Sequence, residues 1–296
     1  MARFNEQSLI NWTKPPSDSE ETKLSNSERM VKDAIKEDPK LSGMGTEVFG
    51  QGSYANDTNV RLNSDIDINV RYTDGFYYYM PPEITKEELG LTIPDTYSVE
   101  EFKNDVEVAL VRKFDRSSVV RKNKCLTVLG NTYRVETDVV PTWNYRRYDK
   151  SYNYVLGAKL RADGGGDVEN YPKHHIDNGK TKNTNTSRRF KRLTRIYRKL
   201  RYKMIDDGVH VSDSISSFLL ECLVWNVPNS IFNDNSTWQD RLRESIIHLY
   251  EHTKDEDKCE DWGEVSELLY LFKGNRKWTK KDVNTFLVDA WNYLGY

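Results

Sequence analysis

The sequence predicts an α+β protein, with a mixed sheet and its helices in the first half and an all-helical second half. Three observations carry this. Short apolar alternations bounded by Gly and Pro recur between residues 46 and 140. From residue 188 onward apolar residues return at helical spacing. No window approaches the ~18 apolar residues of a membrane span.

The elements follow in order. Residues 13–22 are a polar, Pro-containing lead-in. Residues 25–37 read as a helix, with Met30, Val31, Ala34 and Ile35 on one face, ended by Pro39 and Gly43. Thr46 to Gln51 is a short strand, Gly52-Ser53 turns the chain into a short helix, and Asp65 to Arg71 is a second strand. Residues 72–97, with Gly75, a Tyr run and three prolines, read as an irregular insertion. Ser98 and Glu101 form a capping box for a helix to Phe114, in which Phe102, Val106, Leu110 and Phe114 repeat every four residues. Strands near 124–129 and 133–140 are joined at Gly130-Asn131, and Pro141 closes the second. Residues 142–187 read as loop-rich. Helices are expected at 187–206, 213–226, 237–252, 263–272 and 279–294.

Composition narrows the class. Charged residues are 30% and hydrophobic ones 37%, as expected of a soluble protein, and the net charge is only −2. Residues 188–203 nevertheless hold nine Lys/Arg and no acid, which points to a local anionic ligand rather than wholesale coating of nucleic acid. Cys125, Cys222 and Cys259 lie far apart without a CxxC pair, so neither a zinc site nor a disulfide framework is expected. Residues 1–12 carry no signal-peptide core; the expected compartment is the cytoplasm.

The chemistry is carried by carboxylates. In a strand, residues i and i+2 share a face, so Asp65 and Asp67 point the same way while Ile66, Ile68 and Val70 face a core. Adjacent anions repel unless a cation lies between them, and magnesium takes carboxylate and phosphate oxygens. A third carboxylate is expected from the strand around Asp138, with Glu136 on the same face as a competitor. Three carboxylates suit two Mg²⁺ (or Mn²⁺) ions, the arrangement that serves in-line phosphoryl transfer. The bland alternative is that Asp65 and Asp67 are solvated residues on an edge strand. Gly52-Ser53, twelve residues upstream, weighs against it, because a Gly-Ser turn at a helix start offers N–H groups and a hydroxyl to phosphate.

Phe49-Gly50-Gln51-Gly52-Ser53-Tyr54-Ala55, Leu62-Asn63-Ser64-Asp65-Ile66-Asp67-Ile68 and Asp138-Val139-Val140-Pro141 resemble the motifs of the nucleotidyltransferase superfamily that includes DNA polymerase beta. The closer similarity is to its cyclic GMP–AMP synthase-like and oligoadenylate synthase-like branch, and within it to the bacterial CD-NTases, clade E-like. Tyr171-Pro172-Lys173-His174-His175, then Lys182-Asn183 and Thr186, resemble the later region of that group, and the match spans roughly residues 25–290. The resemblance implies a polymerase-beta-like core with a mixed sheet, a helical lobe and a cleft between them. On that reading 1–24 is a lead-in, 25–187 the nucleotidyltransferase core and 188–296 the helical lobe. It implies Asp65, Asp67 and Asp138 as catalytic and metal-binding residues, and Gln51, Gly52 and Ser53 as nucleotide-binding. Arg195 and Arg198, three apart beside the apolar stripe of the basic helix, are expected to reach a triphosphate. It further implies template-independent joining of nucleoside triphosphates into a cyclic di- or trinucleotide that a downstream anti-phage effector senses. The expected state is a monomer, with no membrane and no stable nucleic-acid partner. Two other readings stay open: nucleotide transfer to an RNA 3′ end, protein or small molecule, and a catalytically silent nucleotide sensor.

The remaining features have plainer readings. His174 and His175 are expected to be structural, Gly164-Gly165-Gly166 a flexible loop rather than a P-loop, and Phe76 to Tyr79 packing for the insertion.

Overall fold

The computed structural model describes residues 2–60, 66–91, 97–254 and 258–296. In chain order the helices are α1 (Glu6–Trp12), α2 (Asp18–Glu37), α3 (Gly52–Ala55), α4 (Val99–Phe114), α5 (Pro172–Asn185), α6 (Arg189–Asp206), α7 (Ser217–Trp225), α8 (Asn229–Asp234), α9 (Trp238–Thr253) and α10 (Lys280–Leu294). The strands are β1 (Thr46–Gln51), β2 (Ile66–Tyr79), β3 (Val119–Arg121), β4 (Leu126–Val128), β5 (Thr137–Tyr148), β6 (Tyr154–Arg161) and β7 (Asp167–Asn170). They belong to two compact units, one built on the sheet and one on helices.

The sheet unit holds residues 17–54 and the described part of 64–172. Its strands form one mixed sheet in the order β1-β2-β5-β4-β3, with β2 and β5 parallel at the centre. β6 pairs with the distal half of β5 and carries β7. Ile66, Ile68, Val70 and Val139 are fully buried and pack with Phe102, Val106 and Leu110 of α4 and Val31 and Ile35 of α2. Each such side chain contributes about 1.5–3 kcal/mol on burial. The Ser98/Glu101 capping box starts α4 as the spacing predicts, and a second box, Ser17 with Glu20, starts α2. That cap moves the helix start seven residues ahead of the expected 25.

Two strands run further than expected. β2 continues through the Tyr run, because Phe76 to Tyr79 pair with Asn144 to Arg147 of β5 after a register shift at residues 73–75. Tyr77 packs on Trp143 with ring centroids 5.3 Å apart, and the Arg146 guanidinium lies 3.6 Å from the Phe76 ring. Pro141 does not close β5; it sits inside the strand, opposite Val70. On the opposite flank of β5 the pairing passes from β4 at Val139 to β6 at Trp143. A residue without an N–H is tolerated in that gap. β5 also begins at Thr137 rather than 133, after a loop in which the Asn131 side chain accepts from the Tyr133 and Arg134 N–H groups. The expected loop-rich 142–187 thus contains the rest of β5, then β6, β7 and α5. Gly164 to Gly166 form the tight β6–β7 turn, with Gly165 and Gly166 at φ +89° and +90°.

The helical unit holds the described parts of 1–16 and 55–63 together with Lys173–Tyr296. Residues 173–187, counted with the core from sequence, belong here because α5 sets His175 against α7 and Asn178 against Val265. The unit's core gathers Phe190, Leu193, Ile196, Tyr197 and Leu200 of α6 with α7, α9 and α10, and Leu9 of α1 joins it. Residues 263–272 are not a helix. A Gly263–Tyr270 bridge folds them back, and Glu267 lies at φ +59°, outside helical space.

Candidate active site

Two neighbouring parallel strands bring two of the three expected carboxylates together. Asp67 of β2 and Asp138 of β5 are direct register partners. Gln51 of β1 stands opposite Asp67, and Thr127 of β4 opposite Asp138. Cross-strand partners share a face, so Gln51, Asp67, Asp138 and Thr127 form one row across four strands. β2 is flanked by β1 and β5, so Asp67 does not sit on an edge. Glu136 precedes β5 and is largely exposed; it is Asp138 that the register sets beside Asp67. Asp65 lies outside the described residues.

Gly52 shapes the near end of the row. It has φ +64°, and a Cβ built there would lie 2.2 Å from Asp67 Oδ2 and 3.1 Å from its Cγ. Glycine therefore meets two requirements at once: the left-handed backbone, and the close approach of a carboxylate. Ser53 follows it in the single turn of α3. Two residues further along β2, Asn69 is buried and donates from Nδ2 to Gln51 Oε1 at 3.1 Å. Thr142 of β5 donates to Asn69 Oδ1 at 2.7 Å. This relay fixes the Gln51 amide from beneath.

At the far end, Thr127 Oγ1 donates to Asp138 Oδ1, and Lys122 Nζ lies 3.6 Å from the same oxygen. Burial, and then the Asp138 charge, push the Cys125 thiol up to about 11. Sequence reasoning missed Thr127, Lys122, Asn69 and Thr142. The signal for Thr127 was its place in the strand before Asp138, but pairing two strands across an eight-residue loop requires the register, which the loop conceals.

The donor set suits a hard divalent cation. Two carboxylates on laterally paired strands, about 5 Å apart in backbone spacing, repel each other unless a cation joins them. Among the described residues no group of three His, Cys, Asp or Glu side chains gathers to hold a metal.

Arg195 and Arg198, expected to reach a triphosphate, each donate hydrogen bonds within the chain. Both are buried within the helical unit. Arg195 donates to Thr13 O at 3.0 Å, Asp57 O at 2.8 Å and Asp57 Oδ1 at 2.5 Å; Arg198 donates to Thr58 O at 3.0 Å. These bonds tie down residues 57–58. His175 Nε2 meets Glu221 Oε1 at 3.1 Å, and Thr58 Oγ1 donates to Glu221 Oε2 at 3.0 Å. His175 is thus a buried structural partner.

The family model for the C-terminal helical domain of cGAS/DncV-like nucleotidyltransferases matches residues 177–295. The chain is 64% identical, over the full length of both, to the cyclic dipyrimidine nucleotide synthase CdnE of Cecembia lonarensis. It is 38% identical to the cyclic dipurine nucleotide synthase of Elizabethkingia meningoseptica, covering 99% of each chain. Among solved structures it is similar to the Rhodothermus marinus CdnE c-UMP-AMP synthase with Apcpp and Upnpp. That match has a TM-score of 0.87 and 28% identity, and covers 99% of this chain and 97% of the other.

Proposed function

Since the chain belongs to the cGAS/DncV-like nucleotidyltransferases and is an enzyme of the cyclic nucleotide synthase type, we propose that it joins two pyrimidine nucleoside triphosphates into a cyclic dipyrimidine nucleotide. The observation that supports the chemistry is the lateral Asp67–Asp138 pair, with Asp67 held against Gly52. The base preference rests on the 64% relative; the 38% relative makes a dipurine product, so bases vary within this group.

Asp67 and Asp138, with Asp65, would hold two Mg²⁺ or Mn²⁺ ions. When bound, these supply positive charge for the triphosphate and favour the deprotonated form of an acceptor hydroxyl. Gln51, Gly52 and Ser53 bind the phosphates, and the Asn69–Thr142 relay holds Gln51 in place. Thr127 orients the Asp138 carboxyl, which takes the acceptor proton. The new bond joins the acceptor oxygen to the α-phosphorus, and the bond to pyrophosphate breaks in line. A second transfer closes the ring. The product serves as a messenger for a separate anti-phage effector, and the enzyme acts in the cytoplasm as a monomer.

Incubation with each labelled triphosphate and Mg²⁺, followed by phosphatase, nuclease and mass measurement, tests this. The expected product is phosphatase-resistant, contains two pyrimidine nucleotides and needs no acceptor. Label appearing only on added RNA or protein overturns the reading.

A further inference from the structure

His248 and His252 stand at i and i+4 of α9, and so on one face of that helix. Their ring centroids are 4.0 Å apart, with the planes tilted by 39°. The Trp262 ring stacks along both, 6.0 Å from His248 at 17° and 5.7 Å from His252 at 25°. Trp262 is fixed in turn: its carbonyl accepts from the Leu271 N–H at 2.7 Å, and the next carbonyl, Gly263 O, accepts from Asn226 Nδ2 at 2.9 Å. All of these residues belong to the helical unit.

Hydrogen bonds set the tautomer of each ring. His252 Nδ1 lies 2.7 Å from His248 O. A carbonyl only accepts, so Nδ1 carries the hydrogen and the neutral ring keeps its lone pair on Nε2. The His248 ring donates to the backbone carbonyl of Asn226. Its Nε2 is buried and has no hydrogen-bond partner among the described residues. The donor is therefore Nδ1, and Nε2 again holds the lone pair. Both imidazoles thus lean on a carbonyl through Nδ1–H and leave Nε2 unprotonated, as metal-ligating histidines do. Histidines at this helical spacing share a metal in other proteins. A tetrahedral Zn²⁺ about 2.0–2.1 Å from each nitrogen holds the pair about 3.4 Å apart, a span within reach of rings this close. Lys182 is the cation that acts on His248, and its Nζ is held on Val227 O at 2.8 Å. Neutral nitrogens beside a cation disfavour Mg²⁺, which takes anionic oxygen, and suit an ion that bonds to imidazole.

We propose that His248 and His252 form a two-histidine site for a borderline divalent transition-metal ion such as Zn²⁺, completed by water. Its chemistry differs from that of the carboxylate row: neutral nitrogen donors on one helix face replace anionic oxygens on paired strands. With two protein ligands the ion exchanges freely, unlike a four-ligand structural zinc. The proposal is independent of the proposed function.

Titration calorimetry of the full, untagged chain with Zn²⁺, in a large excess of Mg²⁺ to fill the carboxylate row, tests it. Wild type, His248→Asn, His252→Asn and Asp67→Asn are compared, with a thermal melt of each, with and without Zn²⁺. Wild type and Asp67→Asn should bind one Zn²⁺ with equal affinity. Each histidine variant should lose at least about ten- to a hundredfold, since losing a ligand costs no less than losing its outer partner. Zn²⁺ should raise the Tm of wild type and Asp67→Asn but not of the histidine variants. No Zn²⁺ bound by wild type overturns the proposal, as does binding within threefold of wild type in either histidine variant. Loss of the Zn²⁺ in Asp67→Asn also overturns it, because the ion then sits on the row. Should His248→Asn fail to fold by circular dichroism, His252→Asn, whose Nε2 is not among the buried unpartnered atoms, carries the test.

Discussion

Replacing Gly52 with alanine separates the cost of folding from the cost of function. At φ +64° an alanine is strained by about 1–2 kcal/mol. For a chain of this size that corresponds to a fall in Tm of roughly 2–8 °C. The new methyl would lie 2.2 Å from Asp67 Oδ2 and 3.1 Å from Cγ. Relieving the first contact displaces Oδ2 by about 1 Å, and the second requires Cγ to give by a few tenths of an ångström. Folding tolerates that shift; chemistry does not, since displacing a reacting group by about 1 Å costs about a hundredfold in rate. The assay is product formation from saturating triphosphate and Mg²⁺, set beside a thermal melt. Gly52→Ala should lose about a hundredfold in kcat while remaining folded at 25 °C. Activity within threefold of wild type would refute the argument that the glycine is there to admit the carboxylate.

Three further outcomes are expected. Thr142→Val leaves Asn69 Oδ1 without its donor and should cost about 1–3 kcal/mol in urea unfolding; no loss contradicts the relay. Arg195→Met removes one buried and two part-buried hydrogen bonds and should destabilise by about 2–4 kcal/mol, with triphosphate affinity little changed. Weakened triphosphate binding at full stability would restore the phosphate role expected from sequence. Burial, followed by the nearby His252, holds the His248 pKa at about 4 rather than 6.5. Between those pH values the unfolded chain binds the extra proton. The stability contributed by neutral His248 is therefore complete above pH 6.5 and lost as pH falls toward 4. After allowance for partial exposure the loss is about 1–2 kcal/mol. His248→Asn should show a smaller drop between pH 7.5 and 5 than wild type, and equal drops would contradict this origin.

The strand before the Gly-Ser turn, the α4 capping box and the row aspartates were legible because each rests on local spacing. β1 and α4 match their expected limits to within a residue. What escaped depended on partners distant in sequence. Phe76 to Tyr79 read as an insertion because Gly75 interrupts the pattern, yet β5 supplies a partner beyond the interruption. Pro141 is an ordinary stop signal, overridden because the flank of β5 changes partner there. Residues 263–272 carry apolar spacing, but the Gly263–Tyr270 bridge and positive φ at Glu267 override it. Sequence shows the charge of Arg195 and Arg198 without showing that Arg195 meets Thr13 and Asp57 and Arg198 meets Thr58.

Asp67 and Asp138 are proposed to share divalent cations. Electron paramagnetic resonance of Mn²⁺, titrated into protein saturated with an unhydrolysable UTP analogue, measures this without turnover. Wild type should sequester the ion, while Asp67→Asn and Asp138→Asn should each leave most of it free at the same concentrations. If either asparagine variant retains Mn²⁺ as tightly as wild type, the row is not the metal site.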